Sequence, residues 1–379
     1  MAGHLVFVGG GHAHLTALVN AAGFTRKGHR VTLISPSGYH YYSGMGPGVL
    51  SGIYAPWEIR FNIRKMIEDR GGRFVEGCVA RIDPEKHNLI LKDGGTVPYD
   101  VASFNTGSEV PAQGIGMHGS NVFPVKPIIN LYRARSLLLS HRGGTPRIVV
   151  AGGGPAGVEI AANVWKLLQD RSQAAEILVV AGDDILPSAP AKVRSLALDS
   201  LVGRKMAVLR GVRVLSFEKG HANLTNGRSI PFDYAFLAVG VKPAELFRES
   251  GLPVGKDGEM LVNENLQSVA YPELFGGGDC ISIQGRDLAK VGVYAVRQNP
   301  ILHHNLSAAL DGGTMKQFIP QSDFMLILNM GDGTGILWKK ELVWNGRISF
   351  LLKNFIDRRF MKRFQVSGEL SDQSMAIGE

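Results

Sequence analysis

The chain has 379 residues, 45% hydrophobic and 20% charged, a balance that belongs to folded globular protein and excludes wholesale disorder. Its net charge of +8 suits an anionic cofactor or an anionic membrane surface; zinc spacings, basic-aromatic strands and continuous basic helices are missing, so nucleic acid is not an expected partner. No run approaches the ~20 apolar residues of a spanning helix, and a strand begins too early for a leader peptide, so the expected place of work is the cytoplasm, with peripheral contact at the inner face of the cell membrane.

The stretch LVFVGGGHAH at 5–14 opens the chain as a buried strand and a glycine turn, and an apolar run at 15–22 then reads as a helix. A strand, a tight turn and a helix N-terminus make a phosphate site, because the first helical N–H groups lack internal partners and carry partial positive charge. Against the dinucleotide fingerprint G-x-G-x-x-G, Gly9 and Gly11 match and His14 stands at the third glycine position, with Gly10, His12 and Ala13 completing the loop. His14 is expected to fill the tight helix–strand contact, and His12 either contacts a phosphate or packs.

A second buried strand at 31–34 ends at Ser35, where such folds usually place an acid for the ribose hydroxyls. The aromatic, glycine-rich segment 39–48 either wraps a planar ring or packs as a loop. Residues 58–70 read as a helix. The alternating block 73–98 reads as strands with an Asp93-Gly94 hairpin turn, Cys78 lying in the first of them as a small buried residue. Residues 99–107 form another strand that stops at Thr106-Gly107.

The opening pattern returns at 147–159, RIVVAGGGPAGVE, now with all three fingerprint glycines, Gly152, Gly154 and Gly157, around Pro155 and Ala156. A repeated fingerprint, each copy after a buried strand, implies two nucleotide-binding units in one chain. Here too the ribose acid is missing: Ala181 ends the next strand, Asp183 and Asp184 follow, and no neighbouring arginine favours a 2′-phosphate. The unit closes at 234–240 with Gly240. Later, 274–280 is a strand ending in Gly278-Asp279, and residues 291–309 read as a helix whose start could face an anion. The last 60 or so residues suggest strands at 324–328 and 335–343 and a helix at 348–364. On a helical wheel Ile348, Leu351, Leu352, Phe355 and Ile356 share one face, whereas Phe360 and Phe364 rotate to the other. One continuous interfacial helix is therefore poorly supported; two short segments, or a tail packed as a dimer contact, remain open.

Four separated blocks, the two glycine loops, Thr106-Gly107 and Gly278-Asp279, together resemble the two-dinucleotide-binding-domain flavoproteins, the pyridine nucleotide-disulfide oxidoreductase superfamily. Within it the chain resembles the type II NADH dehydrogenase and sulfide:quinone reductase branch. It resembles more closely still the flavoprotein domains fused to selenophosphate synthetases, through the Gly-Gly-Gly-His-x-His start and the blocks at 42–45, 293–298 and 356–361. The resemblance implies an α/β fold of two Rossmann-like domains, the second inserted in the first: an FAD domain over 1–125 and 241–315, an NAD(P)H domain over 126–240, and a small α+β region over 316–379 that meets membrane, a second copy or a partner.

The same resemblance implies an FAD-dependent oxidoreductase that takes a hydride from NAD(P)H and passes electrons to a quinone-like acceptor. Two other readings stand beside it: a flavin-binding redox sensor linked to a selenium-pathway partner, and a sulfide:quinone reductase, which the cysteine placement disfavours. FAD contacts are expected at Gly9, Gly10, Gly11, His12, Ala13, His14, Ser35, Cys78, Val79, Thr106, Gly107, Gly278, Asp279, Val293 and Tyr294. NAD(P)H contacts are expected at Gly152, Gly154, Pro155, Ala156, Gly157 and Gly240, and Glu159, Lys126, Lys290 and Gln298 are the candidate catalytic groups. No metal is expected. The chain departs from the family in lacking a cysteine pair between 39 and 60, in carrying Asn163 for a helix glutamate, and in keeping Gln298 but having Tyr294 for the first of two glutamines.

Overall fold

The computed structural model describes residues 2–111, 115–117, 119 and 121–372. Two five-stranded parallel sheets carry the two glycine loops. The first runs Leu274–Gly276, Val101–Phe104, His4–Val8, Arg30–Ser35, Arg73–Glu76. The second runs Val122–Pro124, Tyr234–Leu237, Arg147–Ala151, Glu176–Ala181, Ala207–Arg210, repeating the order of the last four strands but taking its edge strand from the start of its unit, where the first sheet takes it from late in the chain. His4–Val8 and Tyr234–Leu237 are buried at every position, as strands covered on both faces must be, which is why their sequences read as unbroken apolar runs rather than alternating ones. Each sheet is accompanied by an antiparallel meander, Val79–Asp83, Asn88–Leu91 and Thr96–Pro98 in one case and Val214–Glu218, His221–Leu224 and Ser229–Pro231 in the other, the second extended by Gly116–Met117 pairing parallel with Val214–Glu218. The Asp93-Gly94 turn joins two of these strands, with Gly94 at φ +87°. Two apolar cores follow the two sheets.

Several local expectations give way to tertiary pairing. The helix read over 15–22 is interrupted at Asn20, leaving Leu15–Val19 and Ala21–Thr25. The helix read over 58–70 shrinks to Ile63–Glu68, because Arg60–Asn62 is pulled into an antiparallel pair with Tyr39–Tyr41 and Asn62 then caps the helix by accepting from Lys65 N at 3.0 Å. Cys78 lies between two strands rather than within one.

The tail is a three-stranded antiparallel sheet, Leu326–Asn329, Gly335–Lys339 and Leu342–Gly346, followed by one unbroken helix, Arg347–Phe364. The apolar residues of that helix do not share one face of a wheel, yet the helix is continuous, because it changes partner along its length. Its first half turns Ile348, Leu351 and Phe355 outward, 62%, 61% and 62% exposed. Its second half buries Met361 and Phe364 and lays Phe360 against Phe61 and Tyr42.

Candidate functional site

The first glycine loop is shaped by Asn105. A Cβ on Gly9 (φ +82°) would strike the Asn105 carbonyl oxygen, and one on Gly11 would strike its side-chain oxygen, so only glycine lets the backbone pass here. The Asn105 amide accepts from Ala13 N at 3.0 Å and donates to Gly277 O at 2.6 Å, tying the loop to the Gly278-Asp279 turn from the far end of the chain. Sequence reasoning missed Asn105; its one signal is its place directly before Thr106-Gly107.

His14 is fully buried, with Nδ1 2.6 Å from Gly9 O and Nε2 2.8 Å from Ser103 Oγ. Both ring nitrogens are engaged, so the His14 ring is the brace between loop and sheet that its place in the turn leads one to expect, and burial pushes its pKa down to about 4. His12 differs. Its ring lies among His40 at 4.8 Å, Tyr42 at 5.2 Å and Phe360 at 5.9 Å, and the Nε2 atoms of His12 and His40 are buried with no protein partner. Burial, then the nearby Lys126 charge, pushes His12 down to about 4, so it is a neutral imidazole at neutral pH. Tight glycines beside orphaned ring nitrogens are what a bound dinucleotide would need, and FAD fits here.

Lys126, Ser108 and Asp279 converge below the loop. The Lys126 ammonium donates to Ser108 Oγ at 2.9 Å and to Asp279 at 3.2 Å, and the Ser108 hydroxyl donates to Asp279 at 2.6 Å. Thr106 is exposed beside them, and Gly107 has open space where its Cβ would be. A cavity of about 670 Å³ adjoins Gly278 and Asp279 and is lined by Lys290, Tyr294 and Gln298.

Two expected catalytic groups are committed elsewhere. Lys290 pairs with the buried carboxylate of Glu259, so its charge is neutralised on the cavity wall. Gln298 is 2% exposed and accepts from Gly278 N at 2.7 Å, which makes it a brace for the Asp279 turn. Tyr294 donates to Gln321 O at 3.2 Å while its ring borders the cavity, with Val293 beside it at the start of the long helix Gly292–Asp311. Cys280 is fully buried, its thiol set against the carbonyls of Phe104 and Gly277, and burial pushes its pKa up; it offers no reactive thiolate. Ser35 ends its strand buried, and Val79 starts the neighbouring meander beside the half-buried Cys78.

In the second loop, Gly152 (φ +129°) has the Ala238 carbonyl oxygen where a Cβ would be, and a Cβ on Gly157 would meet the Gly152 carbonyl oxygen. Gly154 faces open space, Pro155 and Ala156 are exposed, and Gly240 is unobstructed, so the loop presents its backbone outward. Arginines absent from the local sequence arrive through the sheet: Arg210 stands opposite Ala181, and Arg213 packs over Gly182, whose Cβ would lie 2.8 Å from the guanidinium Nε. Both pair loosely with the adjacent acids, Arg210 with Asp184 at 3.4 Å and Arg213 with Asp183 at 3.5 Å.

Glu159, on the helix Pro155–Gln169, faces the tail, its carboxylate accepting from Asn329 N at 2.7 Å. Burial, partly offset by Lys353 and that hydrogen bond, pushes its pKa up to about 7.

The family model described as pyridine nucleotide-disulphide oxidoreductase matches residues 3–302. The chain belongs to this family. It is an FAD-dependent oxidoreductase that uses NAD(P)H. Among curated relatives, ferroptosis suppressor protein 1 of Taeniopygia guttata is 26% identical over 279 residues, covering 70% of this chain and 71% of that protein. The alternative NAD(P)H-ubiquinone oxidoreductase C1 of Arabidopsis thaliana is 25% identical over 76% of this chain, which spans only 63% of that protein. Among solved structures, NDH2 from Plasmodium falciparum in complex with NADH superposes with a TM-score of 0.79 at 15% identity, over 97% of this chain and 98% of that one, a likeness of fold.

Proposed function

We propose that the protein takes a hydride from NAD(P)H and hands the electrons to a quinone-like acceptor at a lipid surface. On this reading the first sheet is the FAD unit and the second the NAD(P)H unit, and because Val122–Pro124 already pairs with Tyr234–Leu237 the second unit begins before the expected boundary at 125/126. Bound FAD supplies the two-electron chemistry; the protein supplies position and field. Asn105 holds the glycine loop and Asp279 in one frame, the Lys126 ammonium places positive charge beside Asp279, and Gln298 fixes the Asp279 turn. The relatives named as quinone reductases carry the acceptor; the cavity of about 670 Å³ next to Asp279 is bordered by Gly278, Asp279 and Tyr294, the expected FAD contacts, and so belongs to the flavin side of the site. No cysteine is placed for thiol chemistry, which leaves sulfide oxidation unsupported.

The tail supports the lipid surface. Among the described residues no helix is long and apolar enough to cross a membrane. The helix Arg347–Phe364 nevertheless exposes Ile348, Leu351 and Phe355, the strand before it exposes Leu342 and Trp344 at 58% and 54%, and basic residues Arg347, Arg358, Arg359 and Arg363 lie on the same helix. An apolar stripe beside basic side chains suits the headgroup region of an anionic bilayer.

The test is anaerobic reduction of the FAD-loaded protein by NADH and by NADPH, followed by reoxidation with a soluble quinone. Bleaching by either nucleotide and steady turnover with the quinone are expected; an oxidised flavin spectrum that persists under millimolar amounts of both nucleotides overturns the reading. Bleaching without turnover on any quinone instead favours a redox sensor.

A further inference from the structure

The tail helix carries a buried ion pair that its membrane-facing role does not require. Lys353 and Asp357 lie one turn apart, their side chains only 11% and 7% exposed, with Nζ and Oδ2 2.7 Å apart. A pair at this spacing could sit on the helix surface at little cost, whereas burying it forfeits the hydration of both charges. What the buried arrangement secures is contact with the loop at 42–45 of the FAD unit. Lys353 Nζ donates to Gly44 O at 2.7 Å, and the Tyr42 hydroxyl donates to the second carboxylate oxygen of Asp357 at 3.0 Å. The clasp continues along the helix, with Tyr54 donating to Asn354 at 2.9 Å and Arg358 to Glu58 at 3.1 Å. Gly44 has to be glycine here, since a Cβ would lie 2.8 Å from the Tyr42 ring.

The clasp reaches the glycine loop through two aromatic rings. Tyr42 stands edge-on to His12 with centroids 5.2 Å apart, and Phe360, one turn further along the tail helix, touches both, at 5.0 Å from Tyr42 and 5.9 Å from His12. His12 has rings of His40, Tyr42 and Phe360 on its sides and a buried Nε2 without a protein partner. Nε2 is the ring nitrogen that the protein leaves buried and unpartnered, and the three neighbouring rings set its direction. We propose that Lys353 and Asp357 are positioning residues for FAD: through Tyr42 they fix the His12 ring so that its free nitrogen meets the bound dinucleotide. The tail helix is then a wall of the flavin pocket as well as a lipid-facing element. This rests on the assignment of the 9–14 loop to FAD.

The experiment titrates FAD into the apoprotein, following flavin fluorescence and the visible spectrum, with a circular-dichroism melt of each variant as a check on folding. Tyr42→Phe removes one hydroxyl and leaves Asp357 paired with Lys353. It is expected to weaken FAD about tenfold and to shift the bound flavin spectrum, with little change in the melt. Asp357→Asn retains an acceptor for Tyr42 and is expected to bind FAD more tightly than Asp357→Ala. The double variant Tyr42→Phe/Asp357→Ala should bind FAD no more weakly than Asp357→Ala alone, because the two groups act through one contact. Unchanged FAD affinity and spectrum in Tyr42→Phe and Asp357→Ala, with melts lowered, would show a clasp that holds the tail alone and overturn the proposal. His12→Ala separates the two layers. Weak FAD binding in that variant, combined with normal binding in Tyr42→Phe, rejects the positioning role while leaving the FAD site in place. Normal binding in His12→Ala rejects the contact itself.

Discussion

The imidazole of His14 occupies the position where the second loop has Gly157, and the comparison shows what each residue does. At Gly157 helix and strand approach so closely that a Cβ would strike the Gly152 carbonyl. In the first loop the ring stands in that gap and bonds to both sides, to Gly9 O at 2.6 Å and Ser103 Oγ at 2.8 Å. Restoring the fingerprint residue should consequently harm this loop: His14→Gly and His14→Ala are each expected to cost about 2–4 kcal/mol in chemical denaturation, from a cavity and unpaired buried groups. Glu159 makes a pH-dependent prediction. Its pKa is raised from 4.5 to about 7 on folding, so the native state holds a proton that the unfolded chain releases. Its contribution to stability is complete below about pH 4.5 and is lost as pH rises through 7, at up to ~1.4 kcal/mol per pH unit. Denaturation curves of Glu159→Gln, compared with the parent between pH 4.5 and 7, should lack this decline; parallel slopes would contradict a buried, protonatable Glu159.

At the scale of elements, the strand Ala207–Arg210 and the turn after it bring Arg210 and Arg213 to the end of Glu176–Ala181, where neither an acid nor an arginine is supplied by the strand itself. A ribose carrying a 2′-phosphate would meet positive charge there, and the Asp183 and Asp184 partners are loose enough to be displaced. Arg213→Ala is expected to raise KM for NADPH several-fold more than KM for NADH, measured as flavin reduction at low ionic strength. Equal effects on both nucleotides would place Arg213 outside the site. The tail helix makes the matching point for packing. Its apolar residues look inconsistent on one wheel, because the outward Ile348, Leu351 and Phe355 and the inward Met361 and Phe364 answer to different neighbours.

At the scale of the molecule, two sheets that share a four-strand core order are joined by a tail that touches an element beside each, through Asn329 to Glu159 on one side and Asp357 to Tyr42 on the other. Exposed apolar residues on that tail predict a separable membrane function. Leu351→Glu with Phe355→Glu should abolish sedimentation with anionic vesicles while leaving flavin reduction by NAD(P)H unchanged, since neither side chain faces the cofactor loops. Vesicle binding that survives the double substitution would remove the lipid assignment, and a change in sedimentation mass instead would point to a second copy on that face.

The fold was legible in the linear pattern because its signals are local. A buried parallel strand, a glycine with positive φ and a helix start are neighbours in sequence, and their repetition at 147–159 identifies two units. Thr106-Gly107 and Asp279 were legible for the same reason, each at the end of a strand. What the sequence could not decide was which side chains still have a free hydrogen bond or charge once folded. Gln298 and Lys290 read as catalytic candidates in the chain and are spent on Gly278 and Glu259 in the structure, whereas His14 packs between helix and strand as its place in the loop implies. Tyr42 and Asp357 lie in blocks that the sequence offers only as marks of resemblance, and Asn105 carries no motif of its own, yet tertiary packing brings all three to the first glycine loop. Free valence depends on partners brought together by tertiary packing, and only the folded chain determines those.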